Sequence, residues 1–161
     1  MLLKNYYDFL HGCHINTQAT LRNYNGSTTN VSPAYANSAI NFKNILSGLA
    51  ASAVVGRVIV GTGDEPPKFD DYKLSGSIIS TISGQGNVTV TNDDDGMEYR
   101  SLITITNTSA TDEITIKEIG ATIGNSATGL LDRTVLDSPL IIPPGGVGQV
   151  TYTIRMNYPT A

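Results

Sequence analysis

Residues 130–158 read LLDRTVLDSPLIIPPGGVGQVTYTIRMNY, which is two strand-like runs joined by a Pro-Gly turn. In the second run, residues 147–156, large side chains alternate with polar ones. The large side chains are Val147, Val150, Tyr152 and Ile154, and the polar ones are Gln149, Thr151, Thr153 and Arg155. Such alternation places one face of a strand on a core and the other in water. We therefore predict the edge of a β-sandwich here.

The composition favours the same fold class. The chain has 161 residues, enough for one domain with a genuine core. Only 15% of the residues are charged, against about 25% in a typical soluble domain. Thr, Ser, Asn and Gly take the place of the charged residues, as on an all-β surface. The same composition is common in proteins that pack against neighbours.

Charge and cysteine content restrict the partners and the compartment. The formal net charge is −4 with a pI near 4.9, and Lys and Arg form no cluster, so we expect no direct nucleic-acid binding. Cys13 is the only cysteine, which excludes an intramolecular disulfide and fits a reducing cytoplasm. No secretory signal is recognisable, and no apolar run approaches the roughly 18 residues of a membrane helix, so no membrane partner is expected.

Period-two patterns recur along the chain and predict about eight strands. They fall at residues 15–21, 54–60, 78–82, 88–92, 100–107, 114–123, 130–136 and 147–156, and the pattern changes phase inside 114–123. Residues 27–37 are polar and predict a loop, and residues 83–86 (SGQG) predict a turn between the strands at 78–82 and 88–92. We predict a mainly β fold, a two-sheet antiparallel β-sandwich of Ig-like or jelly-roll type, in residues 54–161.

Residues 1–53 are expected to form an N-terminal arm used in assembly. Residues 6–10 predict a short helical turn that carries Tyr6 and Tyr7. Further along, apolar side chains at i, i+3, i+4 and i+7 predict one amphipathic helix. These side chains are Phe42, Ile45, Leu46 and Leu49. An apolar stripe of this kind must be covered, and a neighbouring subunit is the expected cover.

Two motifs suggest ligand chemistry but fail on its requirements. Gly61-Thr62-Gly63 follows a strand, as in a nucleotide-binding loop, but Asp64-Glu65-Pro66-Pro67 follows instead of a helix. Asp93-Asp94-Asp95-Gly96 resembles a calcium loop, yet the first and twelfth EF-hand positions would be Thr91 and Leu102. A solvated turn is favoured for both, with a loop calcium site outside the EF-hand pattern left open.

The remaining candidates for chemistry are equally incomplete. His11, Cys13 and His14 form the one His/Cys cluster, and a structural zinc site needs four ligands. There is no Gly-x-Ser-x-Gly motif and no paired carboxylates in an environment that would separate their pKa values. We therefore predict no catalytic residue, no cofactor and no metal, which makes a small hydrolase the weakest of the functions considered.

Three segments together resemble a recurring family of bacteriophage virion proteins. They are VIVGTG (58–63) followed by prolines and DDYKL (70–74), ITIKEIG (114–120), and LLDRTVLDSP (130–139) followed by PGG (144–146) and VTYTI (150–154). The resemblance covers roughly residues 54–158. It implies a tail-associated, neck-associated or other structural protein of the particle and brings no catalytic residue with it.

The resemblance implies a non-enzymatic virion subunit, made in the bacterial cytoplasm, that assembles with itself and with other virion proteins. Arg133, flanked by Asp132 and Asp137, is expected to form a fixed ion pair or an interface contact, because its planar guanidinium fits carboxylates. The alternative function is a receptor- or carbohydrate-binding module at the particle surface. Tyrosines would then stack on sugars, although they are equally common in strands.

Overall fold

The computed structural model describes residues 1–14, 18–31, 57–79, 82–122 and 129–157. In these residues the fold is mainly β, with one helix near the N-terminus. The elements are α1 (Lys4–His14), β1 (Ala19–Arg22), β2 (Thr28–Val31), β3 (Arg57–Gly61), β4 (Ile78–Ile79), β5 (Ile82–Asn92), β6 (Gly96–Thr106), β7 (Ile114–Thr122), β8 (Leu130–Ile142) and β9 (Val147–Asn157).

The strands form three sheets, and every strand pair is antiparallel. One sheet has the order β4-β3-β7-β8, a second has the order β5-β6-β9, and β1 and β2 form a separate hairpin. Some strands that follow each other in the chain, such as β5 and β6, pair through a short turn. These turns explain the turn residues found between the strand patterns of the sequence.

One hydrophobic cluster takes side chains from all three sheets and from α1. It consists of Tyr6, Ala19, Leu21, Val58, Val60, Ile103, Ile105, Ile116, Ile119, Ala121, Leu131, Ile142, Tyr152 and Ile154. A smaller cluster lies beside it and includes Leu3, Ile59, Leu74 and Leu130. Leu74 is buried there and holds the long loop 62–77 against this cluster.

The strand pattern read from the sequence is largely confirmed. The phase change predicted within residues 114–123 corresponds to a register shift between Ile116 and Glu118, where β8 contains extra residues opposite β7. In β9, Tyr152 and Ile154 are buried as predicted, whereas Val147 is 61% exposed. Val147 has the sequence parity of the polar residues of that strand, so its side chain lies on their face.

Two local predictions differ from the structure. Residues 28–31, expected to belong to a loop, form β2, because pairing with β1 satisfies their backbone groups despite their polar side chains. The turn expected at residues 83–86 lies within the continuous strand β5, where two register shifts against β6 absorb the glycines.

The described N-terminal residues are packed into the folded body. The backbone N–H of Leu3 donates to the Leu131 carbonyl (2.8 Å), and that of Arg133 donates to the Met1 carbonyl (3.2 Å). This short pairing covers the start of the outer edge of β8. Leu3 and Tyr6 are buried against the core, so the part of residues 1–53 that is described contributes to the core. The predicted stripe at Phe42, Ile45, Leu46 and Leu49 lies outside the described residues.

Candidate functional site

Arg133, on β8, lies at the centre of a buried polar network. Its side chain is almost fully buried, and its Nε donates to Glu118 Oε2 at 2.8 Å. Nη1 donates to Asp71 Oδ2 (2.7 Å), and Nη2 donates to the Glu65 carbonyl and to Ser75 Oγ (2.7 Å each). The guanidinium is thus bonded on all three nitrogens to groups of its own chain.

Glu118, on β7, fixes both ends of the loop 62–77 that connects β3 to β4. Its Oε1 accepts hydrogen bonds from the backbone N–H groups of Gly63 (2.9 Å) and Gly76 (2.8 Å). Its Oε2 accepts from the N–H of Ser75 (3.0 Å) in addition to Arg133. A carboxylate with four such donors is fully solvated by the protein, which explains how it tolerates complete burial.

The Gly61-Thr62-Gly63 motif allows the backbone at Gly63 to lie very close to the backbone at Gly76, at the other end of the loop 62–77. A Cβ at Gly63 would lie 1.9 Å from Ser75 Oγ and 2.4 Å from the Gly76 nitrogen, and one at Gly76 would lie 2.3 Å from the Gly63 nitrogen. Only glycine fits at either position. Within the motif, the Gly63 N–H donates to the Glu118 carboxylate and the Thr62 N–H donates to the Ser77 carbonyl, so these amides are engaged inside the fold.

The ionisation of the central pair follows from its hydrogen bonds. Burial alone would raise the pKa of Glu118, but the hydrogen bonds from Arg133, Gly76 and Ser75 outweigh burial and hold that pKa below its usual value. Burial likewise opposes the charge of Arg133, yet its hydrogen bonds to Glu118 and Asp71 raise the pKa of the guanidinium. Both groups are therefore charged across the physiological range, which suits a structural ion pair.

A second buried contact involves Asp132, the neighbour of Arg133. The Tyr152 hydroxyl on β9 donates to Asp132 Oδ1, and the α-amino group of Met1 lies 3.0 Å from Asp132 Oδ2. Burial, followed by the nearby Asp132 charge, raises the pKa of Tyr152 well above its usual value. The carboxylate partners of Arg133 are thus Glu118 and Asp71, distant in sequence, and Asp132 is engaged elsewhere.

The candidate assembly residues have different environments. Tyr6 is 5% exposed and lies in the core cluster, whereas Tyr7 is 50% exposed and its ring centroid is 5.8 Å from that of Phe69. Arg133 is 1% exposed, so its side chain takes part in the internal ion pair and presents no surface for a partner. Of these three, Tyr7 alone offers a side chain at the surface.

The Asp93–Gly96 run forms the tip of the β5–β6 hairpin. Asp93 Oδ1 accepts from the N–H groups of Asp95 (3.0 Å) and Gly96 (2.8 Å), and both carboxylate oxygens bond the Arg155 guanidinium. The hydrogen bond from Arg155 lowers the pKa of Asp93. Within the part of the chain that the structure describes, no group of three or more His, Cys, Asp or Glu side chains is placed to hold a metal ion.

Sequence reasoning identified Arg133 but missed Glu118 and Asp71. The signal was present in part, because Glu118 has the strand parity of the apolar Ile114 and Ile116, and Arg133 has that of Leu131 and Val135. An acidic and a basic residue that occupy core positions of two strands are expected to pair, since neither is stable alone in the core. Asp71 had no comparable signal, because it lies in a polar loop.

In the described residues, no helix combines the length and the apolar character that crossing a membrane would require. A scan against protein-family models and searches of curated proteins and of solved structures find no match for this chain.

Proposed function

We propose that this protein is a non-enzymatic structural subunit of a bacteriophage particle. The observation that carries the proposal is that the three segments resembling virion proteins converge on one buried network. The first segment supplies Gly63 and Asp71, the second supplies Glu118, and the third supplies Arg133. The residues that carry the resemblance therefore make the fold more rigid.

The Arg133 and Glu118 side chains are hydrogen-bonded to groups of their own chain, which favours a structural role over catalysis. The Arg133 guanidinium and the Glu118 carboxylate bond to each other and to the backbone of the loop 62–77, and both are buried. A catalytic acid or base needs a proton or lone pair that substrate can reach. A fully engaged, buried ion pair instead fixes one geometry, which is what a repeated assembly unit requires.

We further propose that the β4-β3-β7-β8 and β5-β6-β9 sheets pack face to face as a β-sandwich. Supporting this arrangement, Val60 and Ile119 of the first sheet and Ile103 and Ile154 of the second belong to one buried cluster. Alternate residues of β9, such as Thr151 and Thr153, are exposed, as expected for sheets with one wet face. The Ig-like and jelly-roll topologies are both compatible with this packing.

In this proposal the subunit is a homo-oligomer that also contacts other virion proteins, without nucleic acid or membrane as a partner. The stripe of Phe42, Ile45, Leu46 and Leu49 is the proposed contact, together with the exposed Tyr7. A helix with an apolar stripe gains stability only when that stripe is covered. The proposed location is the virion, after synthesis in the host cytoplasm.

Labelling of particles tests the proposal directly. An antibody raised against the purified chain is applied to particles released from a bacterium that carries this sequence, and the particles are imaged. We expect label at a fixed place on the particle and the chain among the proteins of gradient-purified particles. Chain that stays in the cell lysate and is absent from purified particles would refute the virion role.

Assembly is tested separately by solution mass. The variant F42S/L46S removes half of the apolar stripe, and light scattering should then report a smaller species than the wild type forms. The matched variant T151S/T153S changes the exposed face of β9 and should leave the mass unchanged. A wild-type monomer, or an oligomer that persists in F42S/L46S, would contradict the proposed contact.

A further inference from the structure

A polar groove lies where α1, the β1–β2 hairpin and the loop segment 70–72 meet. Its volume is about 550 Å³. Helix α1 contributes one face, with Asp8 and His11, and the hairpin contributes Thr20 and Arg22. The third wall contains Asp70 and Tyr72. Asp71 also lines the groove and connects this wall to the buried Arg133–Glu118 pair.

Hydrogen bonds between the three elements hold the floor and walls of the groove in place. The Asn5 side chain, 3% exposed, accepts from the Arg22 N–H (2.9 Å) and donates to the Arg22 carbonyl (3.0 Å), which ties α1 to β1. The Lys4 N–H donates to the Phe69 carbonyl (2.8 Å). Asp71 is anchored by Arg133 (2.7 Å) and caps the Lys68 N–H (2.9 Å). The groove is therefore preformed, which lowers the entropic cost of binding.

Most charges around the groove are neutralised by each other. Lys4 pairs with Asp8, and Asp71 pairs with Arg133. Two exposed groups remain: the Arg22 guanidinium lies 3.9 Å above the Tyr72 ring centroid, and Asp70 lies on the opposite wall. Among the described residues neither has an ion-pair partner. The lining therefore carries one unpaired cation, Arg22, and one unpaired anion, Asp70, while Lys73 lies outside the lining with its Nζ 5.9 Å from the Tyr72 ring centroid.

An exposed aromatic pair adjoins the groove. The Phe69 carbonyl accepts from the N–H of the groove residue Lys4, and Tyr7 immediately precedes the groove residue Asp8. The Tyr7 and Phe69 side chains are 50% and 53% exposed. The buried Tyr6 ring packs edge-on against Tyr7, with centroids 5.4 Å apart, and fixes its orientation. Two large rings that stay half in water although a core lies beside them mark a contact surface.

We propose that this groove binds a neutral saccharide chain. Sugar rings have apolar C–H faces, which stack on Tyr7 and Phe69, and hydroxyl edges, which accept from Arg22 and donate to Asp70. A small-ligand site is usually lined by aromatic rings together with a few convergent polar groups. The charge balance disfavours polyanions, since a site for sulfated or phosphorylated chains needs clustered unpaired Arg or Lys. This binding function is additional to the proposed structural role, and it requires Tyr7 to be free of the subunit contact, which the stripe of Phe42, Ile45, Leu46 and Leu49 would then make alone.

The first test is a printed array of neutral and acidic oligosaccharides, probed with the purified full-length chain. The neutral set contains oligomers of glucose, galactose, mannose and N-acetylglucosamine, and the acidic set contains sialylated and sulfated chains. We expect retention on one or more neutral oligosaccharides above that on the acidic set. Retention on none of the neutral oligosaccharides, or on acidic chains alone, would overturn the proposal.

Variants then locate the site, using the best neutral oligosaccharide of the array in calorimetric titration. Phe69→Ala should weaken affinity about fivefold through the lost stacking surface. Arg22→Gln should weaken it about tenfold through the lost charged donor. Ile141→Ala removes an equally exposed apolar side chain outside the groove and should have no effect. All three sites are on the surface, so melting temperatures should stay close to wild type. Affinity unchanged in both groove variants would refute this site.

Discussion

Arg133 Nε lies 2.8 Å from Glu118 Oε2, and the two side chains are 2% and 0% exposed. Arg133 is paired in register with Gly120, so its guanidinium extends along β7 to a residue two positions away on the same face. The pair joins the edge strand β8 to the loop 62–77 through the central strand β7. Removal of either partner leaves the other charged and buried.

Arg133→Met should therefore destabilise the chain strongly. Loss of one member of a buried ion pair typically lowers the free energy of unfolding by about 3–5 kcal/mol. Arg155→Met is the matched control, because Arg155 also bonds a carboxylate, that of Asp93, but at the surface. Surface pairs contribute little, so this control should melt near wild type. Urea denaturation of the three proteins measures the difference, and equal midpoints would show that the buried pair does not hold the loop.

The lowered pKa of Glu118 predicts acid sensitivity. Unfolding returns this carboxyl to a pKa near its usual 4.5, above its value in the fold. The stabilisation that the Glu118 carboxylate gives to the fold is thus complete above about pH 4.5. It is lost as the pH falls through the lower pKa that Glu118 has in the folded state. Glu118→Gln should be less stable at neutral pH and should lose less further stability on acidification.

The measurement is the urea midpoint of wild type and Glu118→Gln at about pH 7 and about pH 3. Asp93→Asn serves as control, because the Asp93 pKa is also lowered, by a hydrogen bond from Arg155, but at an exposed site. Its acid dependence should stay close to wild type. If wild type and Glu118→Gln lose equal stability on acidification, Glu118 is not the group that confers it.

The glycine contacts predict two substitutions with different physical causes. Gly63→Ala forces a Cβ to within 2.4 Å of the Gly76 nitrogen, so the loop ends must separate and release Glu118. We expect a loss of about 3 kcal/mol in the free energy of unfolding. Gly145→Ala meets no atom within 4 Å, but its φ of +69° should still cost about 1 kcal/mol. Equal losses in the two variants would mean that space at Gly63 is not limiting.

The strands were predictable because their signal is local. Alternation in β9 and the phase change in β7 are visible in ten residues or fewer, and burial enforces them. The polar strand β2 was not predicted because it has no apolar face and therefore no alternation in the sequence. It forms a strand because it pairs with β1.

The site could be predicted only in part, since its partners are far apart in the chain. Arg133 was singled out, yet the neighbouring Asp132 and Asp137 suggested the wrong partners. Its bonds instead reach Asp71, 62 positions away, and Glu118, 15 positions away. The groove is formed by α1 and by a loop some sixty positions later in the chain. Only the fold brings these two elements together, so no periodic pattern in the sequence could predict that they are adjacent.

Asn107 supports a final prediction about the turn between β8 and β9. It is 1% exposed, and its amide donates to the carbonyls of Asp112 (2.7 Å), Ile142 (3.0 Å) and Pro143 (3.1 Å). Its Oδ1 accepts from the Ser109 N–H (3.0 Å). One side chain thus holds two turns together, and an oxygen cannot replace its nitrogen.

Asn107→Asp should accordingly be more destabilising than its small change in shape suggests. At neutral pH a carboxylate oxygen would face three carbonyl oxygens, which we expect to cost about 3 kcal/mol or more through unmet acceptors and repulsion. Acid should partly restore stability, since a protonated carboxyl regains one donor. Asn30→Asp is the control: Asn30 is exposed and accepts from Thr20 Oγ1 (2.9 Å), which a carboxylate also does. Thermal melting of both variants at neutral and acid pH decides the matter, and an Asn107→Asp protein as stable as Asn30→Asp would show that the amide donor is dispensable.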